Sequence, residues 1–388
     1  MKTNDSGPLS GIKVIEVAGI GPGPMCGMLL ADMGAEVLLL ERMTQSDVGL
    51  PRPRDCELTH RGKRSIAMDL KSPEAVSLAL DLIDSADVMI EGFRPGTMER
   101  IGLGPDICMA RNERLIYSRM TGYGQDGPMS SYAGHDLNYI SLSGVLHAIG
   151  RSGQAPTPPL NLIGDFAGGA LLLAFGITCA LNERARSGKG QIIDASMVEG
   201  ASLLMTPFFG LYAANLHNKE RGQNLLDSGS PFYDVYLTAD GKYVAFGAIE
   251  HKFRKVFAEK TGFSEELILA GDDPATWGSL RDGLKSFFLT RTCDEWCALL
   301  QYSDACLTPV LSADQVAAHS HHVYRESFGV WNGILQPAPA PRFSRTPAKY
   351  AGPPPAAGEG GLTLAKNWGI DLKSIQKLRE KGTINCHE

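Results

Sequence analysis

Apolar and polar positions alternate in the first part of the chain as they do in a parallel α/β unit. Short β-rich runs at 13–17 and 36–40 flank a helical pattern at 24–33, which predicts a strand, a helix and a second strand in that order. A helix start at Ser72-Pro73 precedes another β-rich run at 88–91. The pattern therefore predicts parallel strands connected by helices.

The middle of the chain continues this alternation and then changes. Strands are predicted at 116–119 and 191–194, and between them an apolar helix begins after Asp165 and ends near Arg186. Beyond residue 215 the chain becomes more polar, with a hairpin at 233–246 followed by amphipathic helices. This change predicts a second domain.

The last part of the chain is a connector followed by a helix. Residues 336–361 are too rich in Pro for a helix or a central strand, and a helical pattern covers 371–381. The predicted fold is α/β, with a large Rossmann-like parallel-sheet domain at 1–215 and a smaller α+β domain at 216–330. Residues 331–388 are predicted to form a Pro-rich connector and a C-terminal helix that returns to the large domain.

Composition narrows the class of protein. Of 388 residues, 43% are hydrophobic and 21% are charged, which is typical of a globular protein. The net charge of −6 argues against a general binder of nucleic acid or anionic membranes. The eight cysteines are irregularly spaced without a CxxC pair, so neither a disulfide framework nor a metal site is predicted.

The sequence predicts neither a membrane span nor a targeting signal. The uncharged stretches 166–181 and 200–216 are shorter than the ~20 apolar residues of a membrane span and are expected to be buried helices. Neither terminus shows a targeting pattern, so we expect a cytoplasmic protein without membrane insertion.

A glycine-rich turn after the first strand resembles a dinucleotide-binding motif. It reads Gly19-Ile20-Gly21-Pro22-Gly23-Pro24, and Glu41 lies where such a fold keeps its ribose-binding acid. Cys26 occupies the place of the third glycine, and Pro22 and Pro24 remove backbone N–H groups that would bind a pyrophosphate. A tight turn is therefore favoured over a nicotinamide site.

A local group of cations is hidden by the acidic net charge. Arg42 and Arg94 each follow the carboxyl end of a predicted parallel strand, the edge at which α/β sheets bind ligands. Any one of these cations could equally be a solubilising surface residue, but together they would suit a ligand with several phosphates. The group comprises Arg42, Arg61, Lys63, Arg64, Lys71, Arg94 and Arg100.

Three further residues can carry acid–base chemistry. A single histidine such as His135 is more often structural than catalytic, and Asp165 could simply cap the apolar helix that follows it. A carboxylate in that place also borders a positive helix end, where a developing oxyanion would be stabilised. Glu250 cannot be distinguished from an ordinary loop acid by sequence alone.

Ten segments that include these residues follow one another along the chain from about Pro8 to Val310. They are PLSGIKVIEVAGIGPGP, RGKRSIAMDLK, EGFRPGTMERIGLGP, LIYSRMTGYGQDGP, AGHDLNYISLSGVLHAIGRSG, PPLNLIGDFAGG, SGKGQIIDASMVEG, RGQNLLDSGSPFYDVY, VAFGAIEHKF and SDACLTPVL. In this order they resemble the class III coenzyme A transferase superfamily, also called CaiB/BaiF, with a weaker match in APRFSRTP.

The resemblance implies roles for particular residues. His135 and Asp165 match the acid/base pair of the branch that racemises 2-methylacyl-CoA thioesters, and Glu250 matches an acid that approaches the histidine from the other subunit of an interlocked homodimer. Where close family motifs carry Pro after this acid, the chain has His251. The implied coenzyme A contacts are Arg42, Met68, Asp69, Leu70, Lys71, Gly92, Phe93, Arg94, Arg100, Gly134, Asp136, Leu137, Asn138 and Tyr139.

The resemblance also implies a reaction. Racemisation at C2 needs a base on one face, an acid on the other and stabilisation of the enolate between them, with no metal and no cofactor beyond the coenzyme A of the substrate. One alternative is a CoA transferase in which Asp165 is the nucleophile. The other is a non-catalytic acyl-CoA binding protein, which the presence of both His135 and Asp165 disfavours. The acyl chain is left open.

Overall fold

The computed structural model describes residues 6–44 and 49–388. Its strands are β1 (Lys13–Val17), β2 (Glu36–Glu41), β3 (Arg64–Met68), β4 (Val88–Glu91), β5 (Ile116–Thr121), β6 (Gln191–Ser196), β7 (Asp234–Leu237), β8 (Tyr243–Phe246), β9 (Leu307–Pro309), β10 (Phe328–Trp331), β11 (Ile334–Pro337) and β12 (Ile384–Asn385).

The helices connect these strands and cover them. They are α1 (Pro22–Asp32), α2 (Pro73–Asp84), α3 (Thr97–Ile101), α4 (Pro105–Arg111), α5 (Asp136–Leu142), α6 (Val145–Ala148), α7 (Leu172–Ser187), α8 (Met197–Leu204), α9 (Thr206–Ala213), α10 (His251–Thr261), α11 (Glu265–Ala270), α12 (Trp277–Phe288), α13 (Cys293–Leu300), α14 (Ser320–Tyr324), α15 (Gly361–Asn367) and α16 (Leu372–Glu380). A π-helix, Leu162–Leu171, runs directly into α7, and short 3-10 turns lie at Arg54–Cys56, Leu58–His60, Pro274–Thr276 and Val316–Ala318.

The main sheet has seven strands in the order β12-β3-β2-β1-β4-β5-β6 among the described residues. All neighbours pair in parallel except β12, which is antiparallel to β3. The chain order reverses between β1 and β4, which makes their carboxyl ends the topological switch point where such sheets bind ligands. Smaller antiparallel sheets β7-β8-β9 and β10-β11 accompany it. The predicted α/β class is confirmed.

The central strands are buried at nearly every position because both faces of the sheet are covered. Ile15 and Leu38 point into a core shared with α2, α15 and α16. Val14 and Val37, one residue away, point into the opposite core with α1 and α7. This alternation of neighbours between two cores is the period of two that an extended strand imposes.

Contacts divide the chain into two compact units. The first comprises the residues up to Ser143 that the structure describes, together with Leu160–Leu204 and Tyr324–Glu388. The second comprises Gly144–Pro159 and Met205–Val323. The domain boundaries proposed from sequence, 216 and 330, stay a prediction about independently folding domains. The assignment of 144–159 to the second unit had no counterpart in the sequence pattern.

The apolar helix near the middle of the chain is longer than the sequence predicted. Over the described residues, one helical stretch, Leu162–Ser187, is long and apolar enough to cross a membrane by length and composition alone. Leu173 and Ile177 lie in the core, but Leu171 and Phe175 are 53% and 65% exposed on this chain, so the single chain buries only part of the helix that was expected to be buried. The absence of membrane insertion and the cytoplasmic location stay predictions.

Candidate active site

The glycine-rich turn after β1 makes room for a carboxylate. Gly21 has φ 68°, and a Cβ atom at this position would lie 3.2 Å from Oδ2 of Asp165. Glycine therefore suits the position on two grounds, its left-handed backbone and the close approach of Asp165. The segment that resembles a dinucleotide motif therefore lies against this carboxylate.

Glu41, the acid that the dinucleotide motif would place on a ribose, is bound by side chains of this chain. Both of its carboxylate oxygens accept hydrogen bonds from the Arg54 guanidinium, each at 2.6 Å, and one also accepts from the Ser65 hydroxyl. A carboxylate held by a two-pronged pair of this kind has its acceptor sites occupied. Glu41 is therefore engaged by Arg54 and Ser65, and the preference for a tight turn over a nicotinamide site stays a prediction.

Asp165 lies in the first turn of the π-helix rather than at the cap position. Asn161 precedes the helix, and its Nδ2 donates to Oδ2 of Asp165 at 3.0 Å. The backbone N–H of Asp165 donates to Oδ2 of Asp136 at 2.7 Å. Gly164 allows this approach, since a Cβ there would lie 2.8 Å from the same Asp136 oxygen. π-helical segments are rare and are frequently found at functional sites.

The environment of Asp165 favours its protonated form. Burial raises the pKa of its carboxyl above the ordinary value, and the charge of Asp136 raises it further. The hydrogen bond from Asn161 and the charge of His135 act in the opposite direction without reversing the shift. A carboxyl group with a raised pKa is suited to donate a proton as a general acid closer to neutral pH.

His135 occupies the cap position directly before α5. Its backbone N–H donates to Oδ1 of Asn138 at 3.0 Å, while its side chain is exposed. Asp136, the next residue, is buried and binds the Asp165 backbone. This hydrogen bond connects the segment that carries His135 to the segment that carries Asp165. The structure therefore brings together two residues that are thirty positions apart in the chain.

Two tyrosines hold the backbone around His135. Burial raises the pKa of Tyr139 to about 12, so its phenol keeps the proton that it donates to the Gly134 carbonyl. Its ring meets that of Tyr123 edge to face, with centroids 5.1 Å apart. The positive charge of Arg94 opposes this rise in the pKa of Tyr139 without reversing it.

The predicted coenzyme A contacts collect at the carboxyl edge of the sheet. Arg42 follows β2, Lys71 follows β3 and Arg94 follows β4, and all three side chains are exposed. Because these strands are parallel, their carboxyl ends meet at one edge. Asp69 accepts the backbone N–H of Lys71 at 3.0 Å, so it shapes the turn after β3.

The other predicted contacts are distributed as follows. Met68 is buried at the end of β3, whereas Leu70 and Phe93 are half-buried. Gly134 is half-buried and Asp136 and Tyr139 are buried. Four further residues of this set are exposed, namely Gly92, Arg100, Leu137 and Asn138.

Two members of the predicted cation group are structural instead. Arg61 binds the Asp32 carboxylate at 2.5 Å and also donates to the Pro337 carbonyl at 2.8 Å, so it ties the connector to the first part of the chain. Lys63 is fully buried and pairs with Glu16 at 2.6 Å. Neither can reach a soluble polyphosphate, and the interpretation of these two as ligand contacts was wrong.

Glu250 lies in the second unit, immediately before α10, and is exposed. His251 is the first residue of that helix, the position at which Pro is favoured because its fixed φ suits a helix start. The helix begins here without Pro, so the departure from the family motif leaves the local start of α10 intact. The approach of Glu250 to His135 stays a prediction.

Sequence reasoning did not single out Asn161, and it did not predict that Gly21 lies against Asp165. Asn161 lies directly before the π-helix and only four residues before Asp165 in the chain. That spacing was a usable signal. The contact between Gly21 and Asp165 had none, because it depends on how the π-helix packs against the turn after β1.

Comparison with known proteins places the chain in a family. Residues 9–360 match the model of CoA-transferase family III. The chain is 42% identical to alpha-methylacyl-CoA racemase of Mus musculus, over 95% of this chain and 96% of the relative. It is 31% identical to succinyl-CoA–D-citramalate CoA-transferase of Chloroflexus aurantiacus, over 97% and 98% of the two chains. The crystal structure of a CAIB/BAIF family protein from Brucella suis superposes with TM-score 0.78 at 25% identity, covering 94% of this chain and 100% of that one. The chain therefore belongs to CoA-transferase family III, the CaiB/BaiF family.

Proposed function

We propose that the protein is a racemase that interconverts (2R)- and (2S)-2-methylacyl-CoA thioesters. The observation that carries the proposal is the connection of His135 to Asp165 through Asp136, beside the turn that follows β1. A pair made of an imidazole and a carboxyl with a raised pKa has the residue types that a two-base proton transfer needs. The sequence identity of the chain to the mouse racemase is 42%, whereas its identity to the Chloroflexus transferase is 31%, and this difference supports the same proposal.

The proposed reaction moves one proton off and one proton onto the same carbon. For one epimer, neutral His135 takes the hydrogen from C2, the electron pair delocalises into the thioester carbonyl as an enolate, and the Asp165 carboxyl delivers its proton to the opposite face. For the other epimer, the Asp165 carboxylate removes the hydrogen and the imidazolium returns one. An imidazole can fill both roles near neutral pH.

The cations at the carboxyl edge suit the rest of the substrate. Guanidinium groups pair with phosphates through charge-assisted hydrogen bonds, and coenzyme A carries a 3′-phosphate and a pyrophosphate. Arg42, Lys71, Arg94 and Arg100 are exposed and follow strand ends or lie in α3. In this proposal the coenzyme A of the substrate is held there while the acyl carbon lies between His135 and Asp165.

The proposal is tested with a single epimer of a 2-methylacyl-CoA ester in D₂O. We expect deuterium to enter C2 and the epimers to equilibrate without an acceptor acid, because both proton transfers exchange with solvent. Mass spectrometry and chiral analysis of the acyl group measure the two events. Retention of the C2 hydrogen together with transfer of CoA to an added free acid would refute the racemase.

A CoA transferase is the second candidate, because the family includes such enzymes and Asp165 could be a nucleophile. In that reaction the Asp165 carboxylate would attack the thioester carbonyl, releasing the CoA thiolate and forming a mixed anhydride. Hydroxylamine would trap this anhydride as an acyl hydroxamate. Trapping in the same assay, without deuterium at C2, would establish this alternative.

We also propose a homodimer with composite sites. Leu171 and Phe175 are four residues apart, on one face of the helical stretch Leu162–Ser187, and both are exposed apolar residues on the single chain. A second copy of the chain would remove this face from water. Glu250, implied by the resemblance to approach His135 from the other subunit, would then complete the site.

We expect sedimentation equilibrium to give twice the mass of one chain, and Phe175→Glu to weaken the dimer and lower activity together. A charge placed on an apolar face opposes its burial. Ile107→Glu, on α4, is the matched control and should leave the assembly unchanged, since Ile107 is an exposed apolar residue on a different helix. A stable, fully active monomer would contradict the proposal.

A further inference from the structure

A chain of buried polar contacts lies beneath the loop that carries Arg94. The Phe93 backbone N–H donates to Oε2 of Glu91 at 2.8 Å, and Nε of Arg119 donates to Oε1 of the same carboxylate at 2.8 Å. The other side of the Arg119 guanidinium binds the two oxygens of Glu99, at 2.8 and 3.4 Å. One guanidinium thus connects the start of the loop to the helix at its end.

The sheet register places Arg119 where it can make both contacts. Glu91, the last residue of β4, lies beside Arg119 of β5 in the parallel ladder. Both residues are buried, whereas Glu99 is partly exposed. The connection is therefore anchored at its buried end on the rigid sheet and reaches outward to α3.

The segment held by this connection has little stability of its own. Helix α3 has only five residues, and glycines with φ 78° and 89° border it at Gly96 and Gly102. A helix this short does not form in isolation, because nucleation is unfavourable. Its position relative to β4 depends on tertiary contacts, and Met98 in the core and Glu99 on Arg119 supply them.

The same segment carries two exposed guanidinium groups. Arg94 follows the hydrogen-bonded Phe93, and Arg100 follows Glu99. Each is therefore one residue beyond a contact of the Glu91–Arg119–Glu99 chain. Nη2 of Arg100 also donates to the Thr97 hydroxyl at 3.0 Å, which holds the Arg100 guanidinium over the first turn of α3.

We propose that Arg119 is a positioning residue that sets the spacing of Arg94 and Arg100 for the phosphates of coenzyme A. It does so without touching the ligand, by holding Glu91 and Glu99 at a fixed separation. Only the identity of the ligand as a CoA thioester rests on the proposed function. Preorganised cations bind a polyanion more tightly because their ordering is complete before association.

Glu99→Gln tests the proposal with little risk to folding, because Glu99 is partly exposed and the Glu91–Arg119 pair remains. Calorimetric titration with coenzyme A and with pantetheine, which lacks the nucleotide phosphates, is the measurement. We expect the Kd for coenzyme A to rise about tenfold, which corresponds to about 1.4 kcal/mol, and the Kd for pantetheine to stay unchanged. Arg94→Ala should show the same discrimination and serves as the reference.

Asp84→Asn is the matched control. Asp84 is also a partly exposed carboxylate bound by an arginine, Arg111, but it lies on α2 away from the loop. It should leave both Kd values unchanged. Arg119→Lys is the second variant; it keeps the charge but cannot span two carboxylates with a planar fork, and should weaken coenzyme A binding as Glu99→Gln does.

Equal losses for coenzyme A and pantetheine, or no loss in either variant, would overturn the inference, since a merely structural role does not discriminate between the two ligands. The racemase proposal fails on a different observation. If the unaltered protein binds coenzyme A but leaves the C2 hydrogen unexchanged, the racemase is refuted while the role of Arg119 stands.

Discussion

Replacing His135 by alanine is expected to lower the rate of epimerisation in both directions by about 10²- to 10⁴-fold, the usual contribution of a positioned acid or base. Both directions are affected because the residue is the base for one epimer and the acid for the other. Asp165→Asn should cause a loss of the same order. Chiral analysis of the acyl group at a fixed time measures the effect.

Exchange with D₂O should separate the two variants more sharply than epimerisation does. Without His135, Asp165 can still remove and return a proton on its own face, so one epimer should exchange its C2 hydrogen with retention while the other should not. Asp165→Asn should show the opposite preference. This crossed pattern requires the two residues to act on opposite faces of C2.

His147→Ala is the control for the loss of an exposed histidine, since His147 lies in α6 and its side chain is exposed. It should retain both activities. If His135→Ala and Asp165→Asn exchanged the same epimer, the two residues would act on one face, and the proposed mechanism would be wrong. Unchanged epimerisation in either variant would refute the role of that residue.

Replacing Lys63 by methionine is expected to lower the free energy of unfolding by about 3 to 5 kcal/mol, the usual effect of breaking a buried ion pair. Lys63 and Glu16 are fully buried, 2.6 Å apart, and Lys63 also donates to the Pro24 carbonyl at 2.9 Å in the first turn of α1. The variant leaves the Glu16 carboxylate without its cation. Denaturant unfolding measures the loss.

The loss should depend on pH in a defined direction. Burial already raises the pKa of Glu16, and removal of the lysine removes the charge that opposes this shift. A carboxyl whose folded pKa exceeds its unfolded pKa binds more protons in the native state, so stability falls as the pH rises between the two values. The free energy of unfolding lost through Lys63→Met should therefore be smaller at a pH near the ordinary pKa of a carboxyl than at neutral pH.

Lys381→Met is the matched control. Lys381 pairs with Glu74 at 3.0 Å on the surface, where water screens the charges and an ion pair contributes little to stability. Glu16→Gln combined with Lys63→Met should recover part of the loss, because no unpaired charge is then buried. If Lys63→Met were no more destabilising than Lys381→Met, the buried pair would have no special role in stability.

The order of strands and helices in the first unit could be predicted from sequence because it follows from the local pattern of apolar and polar residues. The runs at 13–17, 36–40 and 88–91 became β1, β2 and β4 almost without change of bounds. Strands buried on both faces need an apolar residue at nearly every position, and helices need the 3.6-residue pattern. Both signals are carried by neighbouring residues, so they do not depend on the rest of the fold.

The long helix shows the limit of local patterns. Its apolar composition predicted burial, yet Phe175 is exposed on the single chain. An apolar side chain favours burial, but its type alone does not identify the surface that will cover it. The helix was also predicted to begin after Asp165, whereas the π-helix begins at Leu162 and includes that residue.

The residue types at the candidate site could likewise be selected from sequence, but not their arrangement. His135 and Asp165 stood out through motifs, and Arg42 and Arg94 through their places after predicted strands. Arg61 and Lys63 matched the cation pattern equally well and proved to be buried partners of Asp32 and Glu16. Whether a cation faces solvent or a carboxylate is decided by residues distant in the chain.

The sequence by itself determined the fold class, the positions of the central strands and the residue types available for acid–base chemistry. Only the tertiary structure decided that Gly21 lies against Asp165, that Asp136 connects the two candidate catalytic residues, and that Arg119 bridges both ends of the Arg94 loop. The physical reason is the separation along the chain of the residues that interact. Secondary structure follows from hydrogen bonds and burial preferences a few residues apart, whereas a site is made by side chains that converge when sheet register and packing bring distant segments together.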